Sequence, residues 1–201
     1  MRKLMAILAL SIIVAGVRAD RLIMAPTGSI LPPAHFKIEG ALRPSEGRPS
    51  IVWANAGIGQ VELQAVFFDN GMGDTDASIG AELQVLPETL LTPAVGFGIR
   101  DIADNGPQGR AEYLAVTKSI STQGIPWVHD VKLHGGFGVE GIDGFFAGAE
   151  VGLPFDLSLA VEHDSHQFNV AGSWSPVRNL ELKVYSLNAD AYFGAVLKFP
   201  K

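Results

Sequence analysis

The chain has no cysteine. Without one, the acylated-cysteine route of lipoproteins is closed, and no disulfide staples the fold after export. Beyond the first twenty residues it also lacks an apolar run of the ~20 residues that a membrane-spanning helix requires. A mature chain that sits in a membrane must therefore do so as a closed barrel, because only helices and closed barrels satisfy their backbone groups in lipid. Positive charge is scarce. The sequence carries 15 Lys and Arg against 21 Asp and Glu. So acidic a surface excludes nucleic acid as a natural partner.

The N-terminus reads as a secretory leader. Arg2 and Lys3 precede a 14-residue apolar run, Leu4 to Val17, and Val17-Arg18-Ala19 offers small residues at both cleavage-site positions. Cleavage after Ala19 removes three basic residues and no acid. The remainder, residues 20–201, has 12 basic against 21 acidic side chains and a net charge of −9. It forms one domain with no visible linker.

Helical spacing is almost missing, whereas alternation with period two recurs along the whole chain. It predicts strands over 35–43, 50–57, 61–69, 77–86, 92–101, 110–119, 128–137, 144–151, 156–163, 167–174, 179–186 and 191–199. Such lengths come close to the ~9–11 residues of a tilted transmembrane strand. An even count closes an antiparallel up-and-down barrel with both termini at one end. The expected fold is thus an all-β outer-membrane barrel of about 12 strands.

The segment Thr92 to Asp101, "TPAVGFGIRD", frames the choice of solvent. In a soluble sandwich Val95, Phe97 and Ile99 would interdigitate with a second sheet. In a barrel they meet lipid, and Gly96, Gly98 and Arg100 line the lumen. Other strands split the same way: Val61, Leu63 and Phe67 oppose Glu62 and Gln64, and Leu180, Leu182 and Val184 oppose Glu181, Lys183 and Tyr185. The phase of 110–119 is ambiguous. Turns also fall into two sets. One set ("RPSEGRP", "DNGMGDTD", "IADNGPQG", "VEGID", "HDSH", "LNAD") is acidic with Gly or Asn, while the other ("GIG", "LPETLLT", "TQGIPW", "GLPFD", "SPVRN") is rich in proline and poor in charge. Two chemically distinct ends suit a barrel. Trp127, Trp174, Tyr113, Tyr185 and Tyr192 lie near strand ends, where aromatic girdles sit.

These phases point a charged set inward: Lys37, Glu39, Arg43, Glu62, Glu82, Arg100, Glu112, Lys118, Asp130, Lys132, Glu150, Glu162, Glu181 and Lys183. Their mixed signs imply cross-lumen ion pairs that fill the barrel, with a polar conduit as the competing role. Arg100 is expected to pair with Glu82 or Glu112, the flanking glycines giving its long side chain room. Elsewhere, "EHDSHQFN" gathers Glu162, His163, Asp164, His166 and Asn169. It reads as a polar turn in preference to a zinc site, which needs three ligands and an open position. Gly136, Gly138 and Gly141 have dinucleotide-fingerprint spacing but are followed by a strand pattern where the fingerprint requires a helix. No nucleophile, base and orienter converge on one face, so no enzyme, cofactor or metal is expected.

"TPAVGFGIRDI" followed by "EYLAVTKSI" resembles the barrel modules of the YjbH family of outer-membrane proteins. The likeness rests on Pro93, Gly98, Asp101, Ile102, Glu112, Tyr113 and Lys118. "APTGSILPP", "LHGGFG", "FFAGAEVGLP" and "LSLAVEHD" extend it over about residues 22–199 as one short module. The resemblance implies an outer-membrane location and a link to exopolysaccharide components. The last strand, "YFGAVLKF", is similar to the terminal signal that such barrels offer to the insertion machinery, displaced by Pro200 and Lys201. The expected role is structural, in the envelope. A passive channel for small polar solutes and a secreted β-sandwich binding protein are the alternatives.

Overall fold

The computed structural model describes residues 21–44, 50–69, 75–106, 108–123 and 125–200. The leader expected over 1–19 lies outside the described residues, as do parts of three turns of the acidic set.

Among the described residues there are twelve strands: β1 (Phe36–Leu42), β2 (Ser50–Ile58), β3 (Val61–Asp69), β4 (Thr75–Leu86), β5 (Ala94–Arg100), β6 (Ala111–Ile120), β7 (Asp130–Glu140), β8 (Gly144–Leu153), β9 (Leu157–His163), β10 (Phe168–Val177), β11 (Leu180–Leu187) and β12 (Asp190–Phe199). Each is antiparallel to its sequence neighbours, and β1 pairs with β12 from Phe36↔Phe199 to Leu42↔Phe193, closing the ring. Closure leaves no sheet edge unpaired. Sequence boundaries and observed ones differ by at most three residues, and those of β3 coincide. The sandwich alternative is overturned, since there is one sheet and it has no facing partner. No described helix is long and apolar enough to cross a membrane.

The outer face is the alternating apolar set. Phe36, Ile38, Leu63, Phe67, Leu83, Phe97, Leu114, Leu133, Leu159, Val170, Val184 and Leu197 are all exposed. In water such a continuous apolar belt would be a severe aggregation hazard; in lipid it is the solvated surface. The end that holds Phe36 and Phe199 is called the near end, and the opposite one the far end.

Register resolves the ambiguous strand. Ile99 pairs with Glu112, and Arg100 with Ala111. Cross-strand partners share a face. Glu112 and Lys118 therefore lie on the outer face of β6, while Ala111, Tyr113, Ala115 and Thr117 are buried inside. This corrects the expected inward placement of both charges. Each sits close to a strand end, where a charge escapes the hydrocarbon: Glu112 pairs with Arg110 at 2.7 Å, and Lys118 donates to the Thr89 and Leu90 carbonyls at 2.6 and 3.1 Å. The girdle expectation also needs correction. Trp127 and Trp174 are exposed outside, but Tyr113, Tyr185 and Tyr192 are buried in the lumen. A buried phenol needs a polar partner, which the lumen carboxylates supply. The Tyr113 hydroxyl donates to Glu82 Oε2 at 2.9 Å, and that of Tyr185 donates to Glu39.

Candidate functional site

The lumen holds the chain's own N-terminal segment. Residues 21–31 combine apolar side chains without alternation (Leu22, Ile23, Met24, Ile30, Leu31) with Pro26 and Gly28. That pattern suits neither a strand nor an exposed leash. All eleven residues are buried except Met24, which is half-buried. Leu22 and Ile23 join an apolar cluster with Ile51, Trp53, Ala171 and Tyr185, and Ala25 joins a second with Ala111, Tyr113, Ala115, Ile142 and Phe146. Each Leu or Ile so buried contributes about 1.5–3 kcal/mol before chain entropy is counted. The plug enters from the near end, where the Ala34 amide donates to the Gly57 carbonyl and the Gly57 amide to the His35 carbonyl, both at 2.9 Å.

Inside, wall side chains take over from backbone pairing. A tight turn, Leu22 N–H to the Ala25 carbonyl at 2.9 Å, presents three successive amides to one carboxylate. Ile23, Met24 and Ala25 donate to Glu162 at 2.9, 2.7 and 3.1 Å. Asn169 Nδ2 donates to the same carboxylate at 2.9 Å and fixes its rotamer. Such charge-assisted bonds are roughly twice as strong as neutral ones. Further along, the Gly28 amide donates to Thr117 Oγ1 at 2.9 Å, and the Leu31 amide donates to Glu62 at 2.6 Å. Asn55 Nδ2 steadies Glu62 at 2.7 Å. Arg21 lies 2.6 Å from Glu39 Oε2 and 3.9 Å above the Trp53 ring.

Glycines on the plug and on the wall make this possible. A Cβ on Gly28 would stand 2.6 Å from the Ala94 carbonyl oxygen and 2.9 Å from that of Ala115, so only glycine lets the plug touch the β5–β6 wall. Gly98 lies beneath the Tyr113 ring, where a Cβ would collide with it. The space expected for Arg100 thus belongs to Tyr113 and the plug. Arg100 does point inward, but its guanidinium rests 5.5 Å from the Tyr113 ring centre, and among the described residues it has no ion pair with Glu82 or Glu112. Stacking on the ring while facing an open cavity spares the guanidinium the cost of full desolvation.

The remaining lumen charges are placed as follows. Lys132 lies 3.5 Å from Glu150 and 3.6 Å from Asp130. Lys183 bridges Glu39 at 3.3 Å and Glu181 at 3.7 Å, and Lys198 meets Glu181 at 2.6 Å. Arg43 pairs with Asp190 at 2.6 Å near the far end. The "EHDSHQFN" residues disperse. Glu162 turns inward to the plug, and His163 packs edge-on against Phe168 with ring centres 4.8 Å apart. Asp164 accepts from the His166 and Gln167 amides, closing the turn. The glycine-rich segment at 136–141 belongs to the β7–β8 hairpin.

Among the described residues three cavities touch the plug, and the two larger lie on its far and near sides. The far one, about 250 Å³, is lined by Arg21, Trp53, Gln64, Phe68, Asp76 and Arg100 among others. The near one, about 80 Å³, is lined by Leu22, Lys37, Lys132, Glu150, Glu181, Lys183 and Lys198 among others. Nothing in the sequence's alternation marks the plug, because it belongs to no strand. The available signal was the run of small inward residues, Ala94, Gly96, Gly98 and Ala115, which leaves a lumen too empty for its own side chains to fill.

A closed antiparallel barrel of twelve strands, apolar outside and charged within, defines a porin-like β-barrel. No family model matches the chain, and no curated protein matches it. Solved structures do match. A KdgM porin is similar with a TM-score of 0.55 at 9% identity, covering 82% of this chain and 99% of that one. A KdgM porin in complex with disordered oligogalacturonate is similar with a TM-score of 0.53 at 10% identity, with the same coverage. At such identities the likeness shows the fold.

Proposed function

We propose that this chain is an outer-membrane barrel that passes small polar solutes only when residues 21–31 leave the lumen, and otherwise stands closed in the envelope. The observation that carries this reading is a plug held in a porin-like wall by side chains. The isolated backbone bridge Arg21↔Pro26 lies within the segment itself. A plug zipped into the sheet would be a permanent part of it; one held by side-chain contacts, through carboxylates, an ion pair and apolar packing, can dock and undock as a unit. The apolar belt supports the membrane location and the similarity of "YFGAVLKF" to a terminal-strand signal supports delivery by the insertion machinery. The YjbH resemblance adds a link to exopolysaccharide components, to be tested by the exopolysaccharide yield of a deletion strain. No catalytic step is part of the proposal.

The test combines fractionation with electrophysiology. Full-length protein should be recovered in detergent extracts of outer membranes and migrate faster on gels before heating than after. In planar bilayers it should be silent with rare step openings. Folding as a soluble monomer without lipid or detergent, or a steady large conductance, would overturn the reading.

A further inference from the structure

The plug carries one cation into the middle of the lumen, and the wall receives it in a built site. The Arg21 guanidinium is 3% exposed, has its ion pair with Glu39 and stacks on Trp53. Glu39 is 1% exposed, and its two oxygens have different duties. Oε1 accepts from Tyr185 and from Lys183, the latter shared with Glu181, whereas Oε2 faces Arg21. A carboxylate oxygen beside an aromatic face is the chemistry that recognises a guanidinium or ammonium group.

We propose that the Glu39–Trp53 cage is a cation-binding site of the open conduit, selecting solutes that bear a guanidinium or ammonium group, and that Arg21 occupies it in the closed state in place of such a solute. This rests on the conduit reading. The charges around the cage favour it. Glu62, Glu82 and Glu162 are also buried at the plug's level, and the plug itself supplies amide donors to Glu62 and Glu162. Once the plug leaves, those carboxylates lose donors and Glu39 loses its guanidinium, so the middle of the lumen turns acidic. The lysines of the near cavity do not cancel this. Lys132 and Lys198 are tied to Glu150 and Glu181, and Lys183 divides its charge between Glu39 and Glu181. Lys37, buried on the same face of β1 as Glu39, offsets one charge of the four carboxylates Glu39, Glu62, Glu82 and Glu162. A cation entering the emptied cage replaces what Arg21 supplied, whereas an anion meets unmatched carboxylates.

The experiment uses the full-length chain with Arg21→Ala and guanidinium chloride at millimolar concentration as the probe. In planar bilayers under a KCl gradient, openings should become about a hundredfold more frequent than in the parent, as expected for truncating one partner of a buried charge pair. The reversal potential should take the sign of cation selectivity, and guanidinium should block the openings. In detergent, guanidinium should raise the unfolding temperature of Arg21→Ala but not of Arg21→Ala with Glu39→Gln, with an equal concentration of sodium as the control. Openings that are unselective or anion-selective and insensitive to guanidinium would overturn the cation site while sparing the conduit. Silent bilayers together with a guanidinium-dependent thermal shift would overturn the conduit while sparing the cage. A missing shift would overturn the cage whatever the bilayers show.

Discussion

Replacing Glu162 with Ala should convert the barrel from mostly silent to mostly open. The side chain is 1% exposed and accepts from three plug amides and from Asn169. Alanine leaves the three plug amides buried with no acceptor, while Asn169 keeps Asp164 at 2.9 Å, and each such amide costs about 1–3 kcal/mol. Water drawn into the gap recovers part of that, so a net loss on the order of 3–5 kcal/mol in plug docking is expected. The open probability in planar bilayers should therefore rise by a factor of about 10² or more. Glu162→Gln should fall between, because its amide keeps one acceptor oxygen but turns a donor toward donors. The barrel itself should survive both changes, with gel mobility before heating unaltered, since Glu162 bonds the plug and Asn169 and its strand pairing is made by backbone. An open probability equal to the parent's would show that the carboxylate does not hold the plug.

The second large effect concerns the outer face. Phe97 is 50% exposed near the middle of β5, between Leu83 and Leu114 on the neighbouring strands. Phe97→Arg should cost roughly 2–4 kcal/mol in lipid vesicles, whereas Arg at Phe36 or Phe199, at the near end, should cost about 0–1 kcal/mol. Phe97→Ala should cost less than the ~3–5 kcal/mol of a Phe deleted from a close-packed core, because lipid tails fill the gap. Reversible unfolding in vesicles checks both series. An Arg series with no dependence on depth would contradict the membrane orientation.

The strands were legible because their physics is local. Val61 and Leu63 of β3, Leu157 and Leu159 of β9 and Leu180, Leu182 and Val184 of β11 alternate with polar residues, and period two needs only a few residues to show itself. In β6 the small residues Ala111 and Ala115 face inward beside Tyr113, so hydrophobicity alone pointed to no face there and register with β5 had to decide. That is why Glu112 and Lys118 were misplaced. Most of the remaining inward charges were readable from phase, but their partners were not, since Arg21 reaches Glu39 from outside the sheet. The plug was the least legible element. Its contacts with Glu162 span more than 130 residues of sequence and involve its backbone amides, which no side-chain pattern reveals.

Thiol accessibility at position 25 tests the closed lumen most directly. The chain has no cysteine, so Ala25→Cys carries the only thiol. Ala25 is 2% exposed between the plug turn and the β6 wall, while Leu91, on a near-end turn, is 93% exposed and gives the control as Leu91→Cys. In vesicles, a charged maleimide should label position 25 slower than position 91 by orders of magnitude, and adding Glu162→Ala should bring the two rates together. Equal rates in the otherwise unaltered protein would contradict a lumen closed by its own N-terminal segment.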